Sequence, residues 1–168
     1  NEILINLKGQ MLTLFDADRI TIYVVDVRTK EIYSRFKDGS VPGEIRVPIN
    51  NKSIAGYTAN SAQITNIANA YDAHELSMIN KDLAFDKSWD EKSGYKTKQI
   101  LTLPIFYKKY VIGVLQLINK KRGDRFTLED QNCAVEMANV LGIAFFNQRK
   151  LSQQRAKKTR FDYLLDNN

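Results

Sequence analysis

The residue types that carry most enzyme chemistry are scarce in this chain of 168 residues, which holds one histidine, His74, and one cysteine, Cys133. A single imidazole excludes His-based zinc triads and HExxH. A single thiol excludes an internal disulfide and any multi-cysteine zinc site. His74 stands in a polar stretch as a solvated side chain. Cys133 stands among Ala134, Met137 and Val140 at helical spacing, as a small buried hydrophobe. The eight glycines form no GxxxxGK or GxGxxG loop to cradle phosphate. Ser, Thr and Asp are plentiful, but no spacing among them marks a nucleophile. No catalytic residue, no metal and no cofactor is expected.

What remains is the chemistry of recognition. Gln116 is a polar residue inside VIGVLQLI, on the same side as Ile112, Val114 and Ile118. If buried it must find a partner, either a backbone carbonyl or a ligand. Ser53 precedes a short apolar run and offers an N-cap, so the free N–H groups behind it suit an anion. Lys120 and Asp130, ten residues apart, read by themselves as ordinary surface charges.

The elements that must position these residues follow from periodicity. Leu4, Leu7, Met11 and Leu14 recur at helical steps and predict an N-terminal helix ending before Asp16. RITIYVVD (19–26) and EIYSRFK (31–37) predict a hairpin, and residues 44–48 a short strand. A helix is expected over 54–62 and an extended piece over 64–67. An irregular middle, 68–98, carries the only tryptophan, Trp89. Strands over 99–106 and 110–119 meet at a turn. A last helix starts near Thr127 with Cys133, Met137, Val140, Leu141, Ala144 and Leu151 on one stripe. This order predicts an α+β domain: an antiparallel sheet with both terminal helices on one face.

The net charge of +6 has a local origin, because residues 149–160 (RKLSQQRAKKTR) hold six basic residues and no acid. The run reads as a solvated helix end or linker. No aromatic interleaves it, so neither nucleic acid nor a membrane is the expected partner. With no apolar run long enough to span a bilayer and no signal segment, the expectation is a soluble fragment of a longer cytoplasmic protein.

SIAGYTANSAQITNIANAYDAH, then SGYKTKQILTLPIFYKKYVIGVLQLINKKRGDRFTLED, resemble a GAF domain of the kind found in cyclic-nucleotide phosphodiesterases and adenylyl cyclases. The Asn119-Lys120 pair, Phe126 and Asp130 match that family's motif, with Gln131 in place of its final Glu. The resemblance implies a GAF-like fold over 1–150, with terminal helices at 1–15 and 127–150 on one sheet face and a ligand pocket on the other. It implies a Lys120–Asp130 pair and a regulatory, non-catalytic role. The implied ligand contacts are Thr21, Phe36 (stacking on a base), Ala55 (at a phosphate), Asp90, Ser93, Thr97 and Gln116. The ligand would be a small molecule such as cyclic AMP or cyclic GMP. A homodimer through the terminal helices is implied too, with residues 151–168 as a basic helical extension leading to a downstream effector. The closing TRFDYLLDNN resembles the opening of secretion and pilus-assembly ATPase domains. Two departures stand out: Asp86, where an acid would repel a phosphate, and an insertion over 77–84. They keep a second reading open, a ligand-free GAF domain for dimerisation or docking.

Overall fold

Two long apolar strands form the centre of the molecule. A computed structural model describes residues 2–37 and 43–167, with the side chains of 2–8 outside the described set. In it β1 (Ala17–Asp26) pairs antiparallel with the last strand, β6 (Tyr110–Lys120). The remaining strands are β2 (Glu31–Lys37), β3 (Arg46–Pro48), β4 (Thr65–Ile67) and β5 (Ile100–Tyr107). They complete a six-stranded sheet in the order β3-β2-β1-β6-β5-β4, with antiparallel neighbours throughout.

Side chains of a strand alternate between faces. Ile20 and Ile22, Leu101, Leu103 and Ile105, and Leu115 and Leu117 therefore point one way. They meet Met11 and Phe15 of α1 (Glu2–Phe15) and Ala134, Ala138 and Leu141 of α5 (Leu128–Asp166). Each fully buried Leu or Ile there contributes about 1.5–3 kcal/mol. That sum exceeds anything the surface ion pairs supply. The expected Leu4 and Leu7 positions fall on side chains outside the described residues. Val140 and Leu151, expected on the packed stripe of α5, are 55% and 51% exposed. Leu141 of that stripe is buried with Ala134, Ala138 and Gly142, and Cys133 and Met137 pack against the same core.

The opposite face carries α2 (Ile54–Ser61), while α3 (Ala73–Ile79) and α4 (Ser88–Ser93) arise from the middle that read as irregular. Those two helices span seven and six residues, too short for periodicity to reveal. Ile54 and Ile100 join Ile67, Leu76 and Leu83 in a second cluster. Ala55, Ala59, Tyr23, Ile32 and Val114 form a third.

Two β-bulges correct the alternation read from sequence. Along β1 and β2, Ile22 faces Phe36 but Tyr23 faces Ser34, so Arg35 is an extra residue and Phe36 is turned onto the helical face. Along β5 and β6, Ile105 faces Gly113 but Phe106 faces Val111. Ile112 thereby leaves the face of Val114 and Gln116 and packs toward the helical core.

Helix α5 runs 39 residues, about 58 Å at 1.5 Å per residue. It crosses β5 at Gly142, where an added Cβ would lie 2.1 Å from the Phe106 carbonyl oxygen. Four residues on, Phe146 stacks on Tyr107 at 3.7 Å between ring centroids. Beyond Lys150 every described side chain of the helix is exposed. Gly142→Ala must push the helix off the strand. Urea unfolding should show a loss of about 2 kcal/mol or more; unchanged stability would mean the crossing is not close-packed.

Candidate functional site

The face of the sheet opposite α1 and α5 is where polar residues gather. Arg19, Thr21 and Tyr23 alternate along β1 and line a cavity of about 370 Å³ between the sheet, α2 and α4. Its size falls in the range of small-molecule sites. Thr21 lies directly across from Gln116, Gln116 from Thr102, and Thr102 from Thr65. A polar row thus crosses four strands. Its β4–β5 end is closed internally, with Thr58 Oγ1 of α2 lying 2.6 Å from Thr102 Oγ1 and 3.3 Å from Thr65 Oγ1. The β1–β6 end opens into the cavity.

Gln116 finds its partner in the Tyr23 hydroxyl. Burial pushes the Tyr23 phenol up to about 12, and the Gln116 hydrogen bond draws it partly back. The phenol therefore stays neutral as the floor of the cavity. Asp90 is buried and accepts three hydrogen bonds, from the Tyr71 hydroxyl (2.6 Å), the Thr97 N–H (2.7 Å) and the Thr97 hydroxyl (2.8 Å). The bond to Asp90, with burial, raises the Tyr71 phenol to about 12. Asp90 and Thr97 line the cavity but spend these groups on each other. Ser93 is exposed and donates to the Trp89 carbonyl, 2.9 Å away.

At the opposite wall, Ser53 caps α2 by accepting from Gly56 N–H at 3.1 Å. An added Cβ at Gly56 would stand 2.4 Å from the Pro48 carbonyl oxygen, so the helix start is pressed against the chain leaving β3. The N–H groups of Ile54 and Ala55 keep no acceptor among the described residues, and both residues line the cavity. Arg46 nearby is neutralised by Asp26, Glu44 and Glu31. Asp86 also lines the cavity. Hydrogen bonds from the Ser88 hydroxyl and N–H hold its carboxyl below the usual range, so it is anionic at neutral pH.

The Asn119 motif holds the wall. Asn119 sits at φ 55°, in the left-handed region that asparagine tolerates. Its side-chain oxygen accepts from Lys98 N–H (2.7 Å) and Gln99 N–H (3.0 Å). Its amide donates to the Lys96 carbonyl (2.8 Å) and the Tyr95 hydroxyl (2.9 Å). Tyr95 in turn donates to Asp18 at 2.7 Å, and its ring lies under the Arg19 guanidinium at 3.5 Å. Lys120 pairs with Asp130, which also closes a capping box with Thr127. Phe126 is 1% exposed in the helical core.

Six of the seven expected ligand residues, Thr21, Ala55, Asp90, Ser93, Thr97 and Gln116, therefore line one cavity. Phe36 does not, because the bulge at Arg35 turns it to the other face, where it packs half-buried against the core that holds Met11 and Phe15. Sequence reasoning missed Tyr95, Gln99 and the Thr58–Thr65–Thr102 cluster. Buried Gln99 shared with Gln116 the one available signal, a polar residue beside an apolar run.

The family model described as GAF domain matches residues 3–145. The chain belongs to the GAF family. The GAF chain is 32% identical over 164 residues to a probable 3',5'-cyclic phosphodiesterase pde-5 of Caenorhabditis elegans, covering 91% of this chain and 21% of that protein. It is 32% identical over 166 residues to a dual 3',5'-cyclic-AMP and -GMP phosphodiesterase 11A of Takifugu rubripes, covering 91% and 17%. The chain thus spans about a fifth of the length of these curated relatives. Among solved structures, the GAF domain of a phosphoenolpyruvate-protein phosphotransferase from Coxiella burnetii matches with TM-score 0.73 at 15% identity. That match covers 90% of this chain and 85% of that one, and it speaks to fold alone. GAF domains are regulatory small-molecule sensors. No helix among the described residues is long and apolar enough to cross a membrane.

Although burial pushes the Asp130 carboxyl up, hydrogen bonds from Lys120 and Thr127 hold it below the usual range. Its folded value is depressed, so its contribution is present above the unfolded value of about 4 and fades as pH falls through the folded one. At pH 7, Asp130→Ala should cost about 2 kcal/mol through the lost cap and pair, and the cost should shrink below about pH 4. A double-mutant cycle with Lys120→Met should show coupling of roughly 1 kcal/mol. Strict additivity would contradict the pairing.

Proposed function

We propose that this GAF domain binds a cyclic nucleotide in the cavity between the sheet, α2 and α4 and passes the occupancy to an attached effector through α5. The observation that carries the reading is the arrangement of the cavity ends. Free N–H groups of Ile54 and Ala55, with the positive end of the α2 dipole, suit a phosphate at one wall. Thr21 and Gln116, cross-strand neighbours on the floor, present hydroxyl and amide groups to a purine or ribose. Both relatives bear names that include cyclic phosphodiesterase activity, which supports the ligand class. In this reading Asp90 and Thr97 hold the wall while Ser93 lies at the rim. The domain occupies residues 1–150, residues 151–168 extend into a linker, and the protein works in the cytoplasm as a dimer through its terminal helices.

A second reading, a GAF domain that binds nothing and serves dimerisation or docking, is favoured by Asp86. Its ionised carboxylate lies in the cavity wall, where it opposes a phosphate.

Thermal unfolding with cyclic AMP or cyclic GMP separates the two. Ligand at a hundredfold excess over its dissociation constant stabilises the native state by about 2.7 kcal/mol. At least one nucleotide should raise the melting temperature, and Thr21→Val with Gln116→Leu should erase the shift while leaving the fold intact. Silence at millimolar concentration in melting and in calorimetry supports the ligand-free module.

A further inference from the structure

The aromatic expected to stack on a ligand's ring, Phe36, is unavailable, because the β2 bulge turns it to the far side of the sheet, where it packs half-buried against the core. The cavity mouth carries another. Trp89, the chain's only tryptophan, stands on α4 among the lining residues and is 41% exposed, a large apolar surface left open to water. Lys92, one turn further along α4 and not among the cavity walls, holds its ammonium 5.6 Å from the centre of the ring system. The ring thus has a cation over it from a residue outside the lining, while Trp89 itself borders the cavity. Helix α4 is only six residues long and has no side-chain N-cap. What fixes it is Asp90, next to Trp89, through its bonds to Tyr71 and to both Thr97 groups. The Thr97 segment is itself tied to the sheet by Asn119. An exposed tryptophan is thus carried on a short helix whose buried carboxylate holds it over the cavity.

We infer that Trp89 is a specificity-determining residue of this site, stacking on the planar ring of a purine-class ligand and holding it against the Thr21–Gln116 floor. This rests on the reading of the cavity as a nucleotide site. An indole at the lip selects ligands with a flat ring over equally sized non-planar ones, since stacking is tolerant of ring identity but requires a ring.

Calorimetric titration of cyclic AMP and cyclic GMP tests it on the parent chain and on Trp89→Phe, Trp89→Leu and Trp89→Ala. Unliganded melting curves show that each variant stays folded. The inference expects Trp89→Ala and Trp89→Leu each to weaken binding about tenfold or more, with Trp89→Phe restoring affinity to within about threefold. It also expects saturating nucleotide to change the tryptophan emission of the parent, which reports Trp89 alone. If the parent binds but the leucine and alanine variants match it within about twofold, the stacking role is refuted and the nucleotide reading stands. Leucine restoring affinity as well as phenylalanine also refutes it, because bulk then suffices. If the parent binds neither nucleotide, both readings fall together.

Discussion

Four hydrogen bonds from one side chain, Asn119, tie the end of the central strand β6 to the segment 95–99, and the site depends on that tie. The segment has no ladder of its own until Ile100. Without the tie, Lys98 and Gln99 would leave N–H groups unpaired beside a core, at a cost of about 1–3 kcal/mol for each one buried. With it, Thr97 is delivered to Asp90, Tyr95 to Arg19, and α4 to the cavity mouth. Lys120 and Asp130, adjoining Asn119, fix the start of α5 to the same strand end. The family motif therefore acts as a brace that never touches the cavity centre and sets where its walls stand.

The sheet divides its labour by face. One face holds aliphatic and aromatic side chains against α1 and α5 and supplies the stability. The other admits Thr21, Gln116, Thr102 and Thr65 in a row. Such a row is costly unless satisfied, and α2 answers half of it with Thr58. In the other half Gln116 meets the Tyr23 hydroxyl, and Thr21 and Gln116 open into the cavity beside the first N–H groups of α2.

The four long strands, β1, β2, β5 and β6, were legible because β-branched and aromatic residues recur over seven or more positions. So was the capped start of α5, where Thr127 and Asp130 form the box. Gln116 was legible as a polar intruder in an apolar strand. Phe36 and Ile112 were misread for one physical reason: a single extra residue in a strand reverses every face beyond it, and nothing in Tyr33–Lys37 or Tyr110–Gly113 announces a bulge. Helices α3 and α4 escaped because a helix of one or two turns is fixed by its tertiary partners, here Leu76 in its cluster and Asp90 on Thr97. Val140 and Leu151 share a stripe with Leu141 yet stay exposed, because stripe geometry alone does not tell which side of a long helix meets the sheet and which is left for another surface.

Helix α5 crosses β5 at Gly142, stacks Phe146 on Tyr107, and then leaves the domain with every later described side chain exposed. Helix α5 thus offers a change in the sheet a stiff path outward. Amide hydrogen exchange with and without saturating cyclic AMP or cyclic GMP tests most directly whether the cavity is a ligand site read out by its walls. The expected result is slowed exchange in α4, in residues 95–97 and in the first turn of α2, with Leu101 to Ile105 unchanged. Bound nucleotide that leaves all three wall segments exchanging as in the free protein would contradict it.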